Sequence, residues 1–322
     1  MLTQILSKCC FGATSDLFLF LPVNFVAIVI LSRGKCGLSK CITRYLVGMA
    51  AADLLVVISE PIFYRIGQTY FPHSFLFITP VCSFIYCLIF TATEVSVWLT
   101  VAFTFDRFLA ICCEKLKTNY CTEKMAALVI GTVIVLSCFV SVPWYFRYEP
   151  DYIIDHVPWY CITKPSFFRS TSWAGFVIFY VILTSCVPFF LILLLNLLTV
   201  RRILAASRAR RGLQGRRNGK SHKDPEMENR RKSIILLFSI SGSFILLWLT
   251  QVVFYIYQRI AKIYSYPVTD PLYFIEVTAN MLQLLSTCTN TCIYVLTQTK
   301  FREELKNAVK YPFNLIVKLV KS

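Results

Sequence analysis

The chain has 322 residues, 57% of them hydrophobic and 16% charged, with a mean hydropathy of +0.62. That composition excludes an ordinary soluble domain and points to a membrane protein. The net charge of +16 raises nucleic acid as a partner, but 26 of the 33 Lys and Arg fall in alternate connections (33–44, 107–124, 201–232) and in the tail from Lys300. A basic collar facing anionic lipid accounts for that pattern better than DNA does, and the positive-inside rule then puts these segments in the cytoplasm and the N-terminus outside.

Windows of about 19 residues with few or no charges occur at roughly 15–32, 42–66, 80–105, 124–146, 172–200, 232–258 and 272–297. The expectation is an all-α membrane protein: an outer N-terminus (1–14), a seven-span bundle (15–298) with a flexible basic loop at about 205–230, and an amphipathic helix and cytoplasmic tail (299–322). Met1 to Phe11 lacks the apolar core of a cleavable signal peptide, so span 1 is expected to act as the signal anchor.

Span 1 places Asn24 among apolar residues, where an amide needs a partner from a neighbouring helix. In span 2 the small residues Gly48 to Ala52 permit close helix approach, and Asp53 follows near mid-membrane. An intramembrane carboxylate costs at least about 2.5 kcal/mol unless it is paired, hydrated or ion-bound, so Asp53 is a functional candidate. Pro61 is expected to bend the same span, because proline removes a backbone donor and clashes one turn back.

Span 3 runs from Cys82 to Asp106-Arg107-Phe108, and the 25 positions between Cys82 and Arg107 correspond to about 37 Å of helix. It also carries Glu94, a second intramembrane acid that faces either the bundle or an outer water cavity, and Ser96. Span 4 ends at Pro143-Trp144, and the loop from Tyr145 to about Ser170 is long enough to fold over a cavity mouth. Of the fourteen cysteines, Cys82 and Cys161 sit where outer loops meet the bundle and are the expected disulfide; Cys9 and Cys10 pair elsewhere or stay free.

Span 5 has Pro188 in its middle and should kink there. Span 6 sets Phe244 and Trp248 on one helical turn. Span 7 carries Asn280, Gln283, Ser286, Thr287 and Asn290-Thr291-Cys292-Ile293-Tyr294, and Phe301, Leu305 and Ala308/Val309 then mark one apolar face of a short helix on the inner surface.

These features together resemble the rhodopsin-like (class A) G-protein-coupled receptors. Asn24, Asp53, Asp106-Arg107-Phe108 (like D-R-Y), Pro188, and Asn290 to Tyr294 (like N-P-x-x-Y) keep the order and spacing of that family's motifs over about residues 15–310. The chain departs from the pattern at Phe108, at Leu247 and Thr250 around Trp248, and at Thr291. Without the span-6 proline, span 6 should be less kinked than usual or bent by other means.

Ala50 to Val56, Ser96 to Val101 and Ala279 to Leu285 are most similar to an orphan-like subgroup associated with aromatic amino acids and short peptides. The resemblance implies a plasma-membrane receptor for an extracellular small molecule or short peptide, coupled to a heterotrimeric G protein. It implies an activation switch of Asp106, Arg107, Phe244, Trp248, Asn290 and Tyr294. It also implies a sodium pocket of Asp53, Ser96, Ser286 and Asn290, with no other cofactor.

The expected ligand cavity is faced by Tyr86, Ile89, Phe90, Tyr180, Thr184, Trp248, Gln251, Tyr255, Glu276, Asn280 and Gln283, Glu276 being the charged contact. Tyr86 and Ile89 stand where the subgroup has acids and Gln251 where it has a base, so an amino acid's two charges lack their usual counter-charges. Two other functional classes compete. Asp53 and Glu94 could serve an ion- or proton-coupled transporter or channel, although no internal repeat of span pattern supports it. An enzyme needs a nucleophile with a base, or a metal set, and the three histidines lie outside the spans.

Overall fold

A computed structural model describes residues 20–214, 225–261, 270–308 and 310. The expectations for the first 19 residues (Cys9 and Cys10 among them), the centre of the basic loop at 215–224, Val309 and the tail from 311 lie outside the described residues.

The described chain is a bundle of helices: α1 (Phe20–Ser32), α2 (Lys40–Val57), α3 (Thr79–Cys112), α4 (Glu123–Tyr145), α5 (Thr171–Val181, continued by Ile182–Cys186 and Val187–Gln214), α6 (Pro225–Ala261), α7 (Pro271–Thr297) and α8 (299–308). Local chemistry sets several of their starts. Ser39 Oγ accepts from Ile42 N, Thr122 Oγ1 from Met125 N, and Asp270 Oδ1 from Leu272 N with Pro271 in the first helical turn.

Five helices, α2 to α6, are long and apolar enough to cross a membrane. The described part of α1 is apolar but shorter, and α7 spends part of its 27 residues on Asn280, Gln283, Ser286 and Asn290. Phe139 on α4, Phe190 on α5, Leu246 on α6 and Leu296 on α7 are exposed, as expected of lipid-facing residues.

α3 is the central element, packed against α2, α4, α5 and α6. The largest core cluster gathers Leu46 and Met49 of α2, Leu99 and Phe103 of α3, Ala126 of α4, Leu236 and Ile240 of α6, and Tyr294 of α7. Gly48 permits the close approach of three helices there, since a Cβ would meet Leu99 Cδ1 at 3.2 Å and Ile130 Cδ1 at 3.6 Å.

The prolines act through wide helical turns. Pro61 lies inside a π-helical segment, Ile58–Ile66, and the π-helical Ile182–Cys186 immediately precedes the turn holding Pro188. Such a segment absorbs the missing donor by re-registering the backbone bonds. α6, without a proline at position 250, runs as one α-helix.

The bundle is all-helical, as its apolar periodicity implies, and the strands among the described residues lie in one loop. The outer loop folds as two antiparallel ladders, β1 (Tyr148–Glu149) with β4 (Ile162–Thr163) and β2 (Tyr152–Ile154) with β3 (Val157–Trp159). Asp155 and His156 turn the inner hairpin with φ of 49° and 61°, the paired left-handed conformation of a two-residue β-turn. Their lack of a glycine is why the hairpin is not legible from the loop's sequence.

Candidate functional site

We call the Cys82 end of the bundle outer and the Arg107 end inner. At the outer end Cys82 and Cys161 form a disulfide, tying the hairpin to the start of α3. Tyr160 reinforces it: its N–H donates to Phe77 O at 2.6 Å, its hydroxyl to Pro72 O at 3.0 Å, and its carbonyl accepts from Thr79 Oγ1 at 2.7 Å. Tyr160 takes a positive φ of 62° to do so, a costly conformation for a non-glycine that the surrounding bonds hold in place.

Below this lid lies a cavity of about 380 Å³. Nine of the eleven residues expected to face a ligand line it: Ile89, Phe90, Tyr180, Thr184, Trp248, Tyr255, Glu276, Asn280 and Gln283. The other two do not. The Tyr86 ring is packed against Tyr64 and Tyr148 at centroid distances of 4.9 and 4.5 Å. Gln251 is 2% exposed and donates to Asn280 Oδ1 at 3.2 Å, so it braces the wall from behind.

Sequence reasoning missed the opposite wall, which is built by Trp144, Arg147, Phe167, Phe168 and Trp173. Phe90 stacks on Trp144 at 4.3 Å, and Tyr180 meets Trp144 edge-on at 5.1 Å while its hydroxyl donates to Phe90 O. The aromatic content of the 144–173 stretch was visible, but only the folded lid turns it inward. Glu94 faces the bundle interior at 2% exposure, and one of its carboxylate oxygens has no hydrogen-bond partner.

Trp248 floors this cavity and roofs the polar level beneath. Its Nε1 donates to Ser286 Oγ at 3.1 Å, and its ring stacks with Phe244 at 5.2 Å. Two small cavities flank it, of about 20 Å³ beside Asp53, Ser96 and Ser286 and about 10 Å³ beside Ser96, Ser286 and Asn290. Asp53 is 1% exposed; it accepts from Ser96 Oγ at 2.5 Å and from Asn290 Nδ2 at 3.1 Å. Asn24 instead donates to Phe20 O at 3.3 Å.

This donor set fits a small hard cation. Asp53, Ser96 and Ser286 present oxygens to the larger space, which has room for about one water-sized particle. Among the described residues no group of three or more His, Cys, Asp or Glu could hold a metal.

At the inner end Arg107 is 5% exposed and ion-paired with Asp106, Nε lying 3.0 Å from Oδ2. Its Nη1 reaches Ser233 Oγ on α6 at 3.3 Å, and Cys41 Sγ on α2 donates to Asp106 Oδ1 at 3.1 Å. Cys121 Sγ donates to the Asp106 carbonyl at 3.5 Å; burial, helped by the Asp106 charge, pushes that thiol up to about 11, so it stays protonated. Cys41 and Ser233 carry no sequence signal of this role. Arg107 opens onto an inner cavity of about 530 Å³ shared with Leu236 and Gln298. Tyr294 is fully buried with its ring 5.8 Å from Phe301 of α8, and its hydroxyl has no partner.

The chain matches the family described as 7 transmembrane receptor (rhodopsin family) over residues 23–294. It belongs to that family. The protein is therefore a multi-pass membrane protein of a receptor family. Among curated proteins it is similar to the FMRFamide receptor of Drosophila melanogaster, at 24% identity over 204 residues. The match covers 59% of this chain and 36% of that receptor, so it spans about a third of the relative's length.

Proposed function

We propose that this receptor takes an extracellular small molecule or short peptide into the outer cavity and passes the event to a heterotrimeric G protein at the inner end. The observation that carries this reading is the shared position of Trp248, which touches the outer cavity and both small polar cavities. A ligand pressing on Trp248 acts directly on the Ser286 and Asp53 level, beyond which Arg107 is held closed by Asp106 and Ser233. Coupling then needs only that ligand and G protein favour the same rearrangement.

The FMRFamide receptor's name favours a short peptide, and the aromatic wall accommodates either a peptide's aromatic side chain or an aromatic amino acid. The reading places the receptor in the plasma membrane with its N-terminus outside and α8 against inner-leaflet lipid. Expression with reporters for several G-protein classes, challenged with amino acids, short peptides and lipids, tests it. Ligand-independent ionic current with no reporter response would favour a channel instead.

The polar level is proposed to hold sodium through Asp53, Ser96, Ser286 and Asn290. Agonist affinity of the parent should then fall as sodium replaces a bulky organic cation, because the ion favours the resting arrangement. In Asp53→Asn, which lacks the countercharge, competition binding should show no such dependence. A sodium effect of parental size in that variant would rule the site out.

A further inference from the structure

Arg147 is a charged cavity residue whose bonding the reading above leaves incomplete. It follows the end of α4, and its backbone is pinned on both sides: its N–H donates to Trp144 O at 3.3 Å and its carbonyl accepts from Lys164 N at 3.0 Å. The guanidinium carbon then lies over three rings, at 4.3 Å from the Phe167 centroid, 5.3 Å from Tyr148 and 5.5 Å from Trp144. These rings supply cation–π attraction to the faces of the guanidinium.

They leave the in-plane bond of Nε unmade. A guanidinium carries five N–H donors in one plane and accepts nothing, so it requires oxygen acceptors at its edge. Arg147 Nε is buried without a hydrogen-bond partner, and among the described residues no carboxylate forms an ion pair with Arg147. The side chain nevertheless lines the outer cavity. A preorganised donor fork whose buried Nε has no acceptor is complementary to an oxyanion, which it can meet with two parallel bonds.

The same cavity holds Glu60 and Glu276, and Tyr255 stands within electrostatic range of both acids and of Arg147. The Phe90 and Trp144 stack adjoins the Arg147 side. The cavity is thus charged with opposite signs around an aromatic wall.

We propose that Arg147 is the anion-binding residue of the outer cavity and that the receptor recognises aromatic ligands bearing a free carboxylate in preference to the corresponding carboxamides. The inference rests on the outer cavity being the ligand site, and it goes beyond that reading by naming the ligand's chemical class. It also sets this chain's preference apart from that for an amidated terminus, which presents no anion to the fork.

The test uses N-acetylphenylalanine and N-acetylphenylalaninamide, which share their ring and differ in charge. Binding to the full-length receptor in lipid nanodiscs is read as ligand-dependent thermal stabilisation. The acid should bind at least about tenfold more tightly than the amide, the scale expected of hydrogen bonds to a charged group. Arg147→Gln should erase that preference, so that the variant binds the acid and the amide with equal affinity. Arg147→Lys keeps the charge but not the fork, so its preference should fall several-fold without vanishing, and it decides the matter if the glutamine variant does not fold.

Equal affinity of the parent for the two probes, no binding of either, or a parental preference surviving in a folded variant overturns the proposal. Because binding is read without a G protein, an acid preference with silent reporters would sink the signalling reading alone. Signalling by ligands whose acid and amide forms bind the parent with equal affinity would sink the anion site alone.

Discussion

Arg107→Ala is expected to abolish agonist-driven G-protein activation, with at least about a hundredfold loss of response, while the parent and variant bind ligand in the outer cavity comparably. Arg107 lies at the far end of α3 from the cavity, so its loss removes the coupling element without touching the binding wall. Asp106→Asn is expected to move the other way and raise basal signalling. The pair is about 95% buried, and Asp106 is also fixed by Cys41. Removing one partner of a buried pair costs on the order of 3–5 kcal/mol, here charged to the closed arrangement alone. A shift of about 5.5 kcal/mol would carry a two-state equilibrium from 1:99 to 99:1, so even part of this cost should be visible. Reporter output normalised to surface expression checks both. A full response in Arg107→Ala, or unchanged basal output in Asp106→Asn, would refute the switch.

Cys82→Ser should produce the second large effect. The disulfide spans 79 positions, and closing a loop of that size contributes about 4.5 kcal/mol in the chain-entropy view. The realised value will be smaller, because helices persist in the bilayer when tertiary contacts are lost. A fall in melting temperature on the order of 5–10 °C is expected. Agonist potency should also drop at least about tenfold, since the bond holds the segment that supplies Arg147, Phe167 and Phe168 to the cavity wall. Reductant should reproduce the loss in the parent and add nothing in the variant. Tyr160 gives the control: its bonds to Phe77, Pro72 and Thr79 persist without the disulfide, and if they alone hold the lid, neither melting nor potency will change.

Legibility differed with the physics involved. Asp53, Arg107 and Trp248 stood out because a polar or bulky group in an apolar span is costly or conspicuous wherever it occurs. Helical periodicity could not tell Gln251 from Gln283, both polar and on inward faces, although only Gln283 reaches the cavity. Tyr86 packs outside the cavity lining for a related reason: its neighbours Tyr64 and Tyr148 come from a helical segment and a loop that only folding brings together.

By itself, then, the sequence determined that this is a membrane-type helical bundle and which family it resembles, because each depends on composition or spacing along one chain. It also singled out Cys82 and Cys161, whose placement required only a count of loops. The tertiary structure decided what long-range packing alone can decide: that Trp248 separates two levels of cavity, that Cys41 and Ser233 hold the Asp106–Arg107 pair, and that Arg147, pinned between Trp144 and Lys164, lines the outer cavity with its Nε unpartnered.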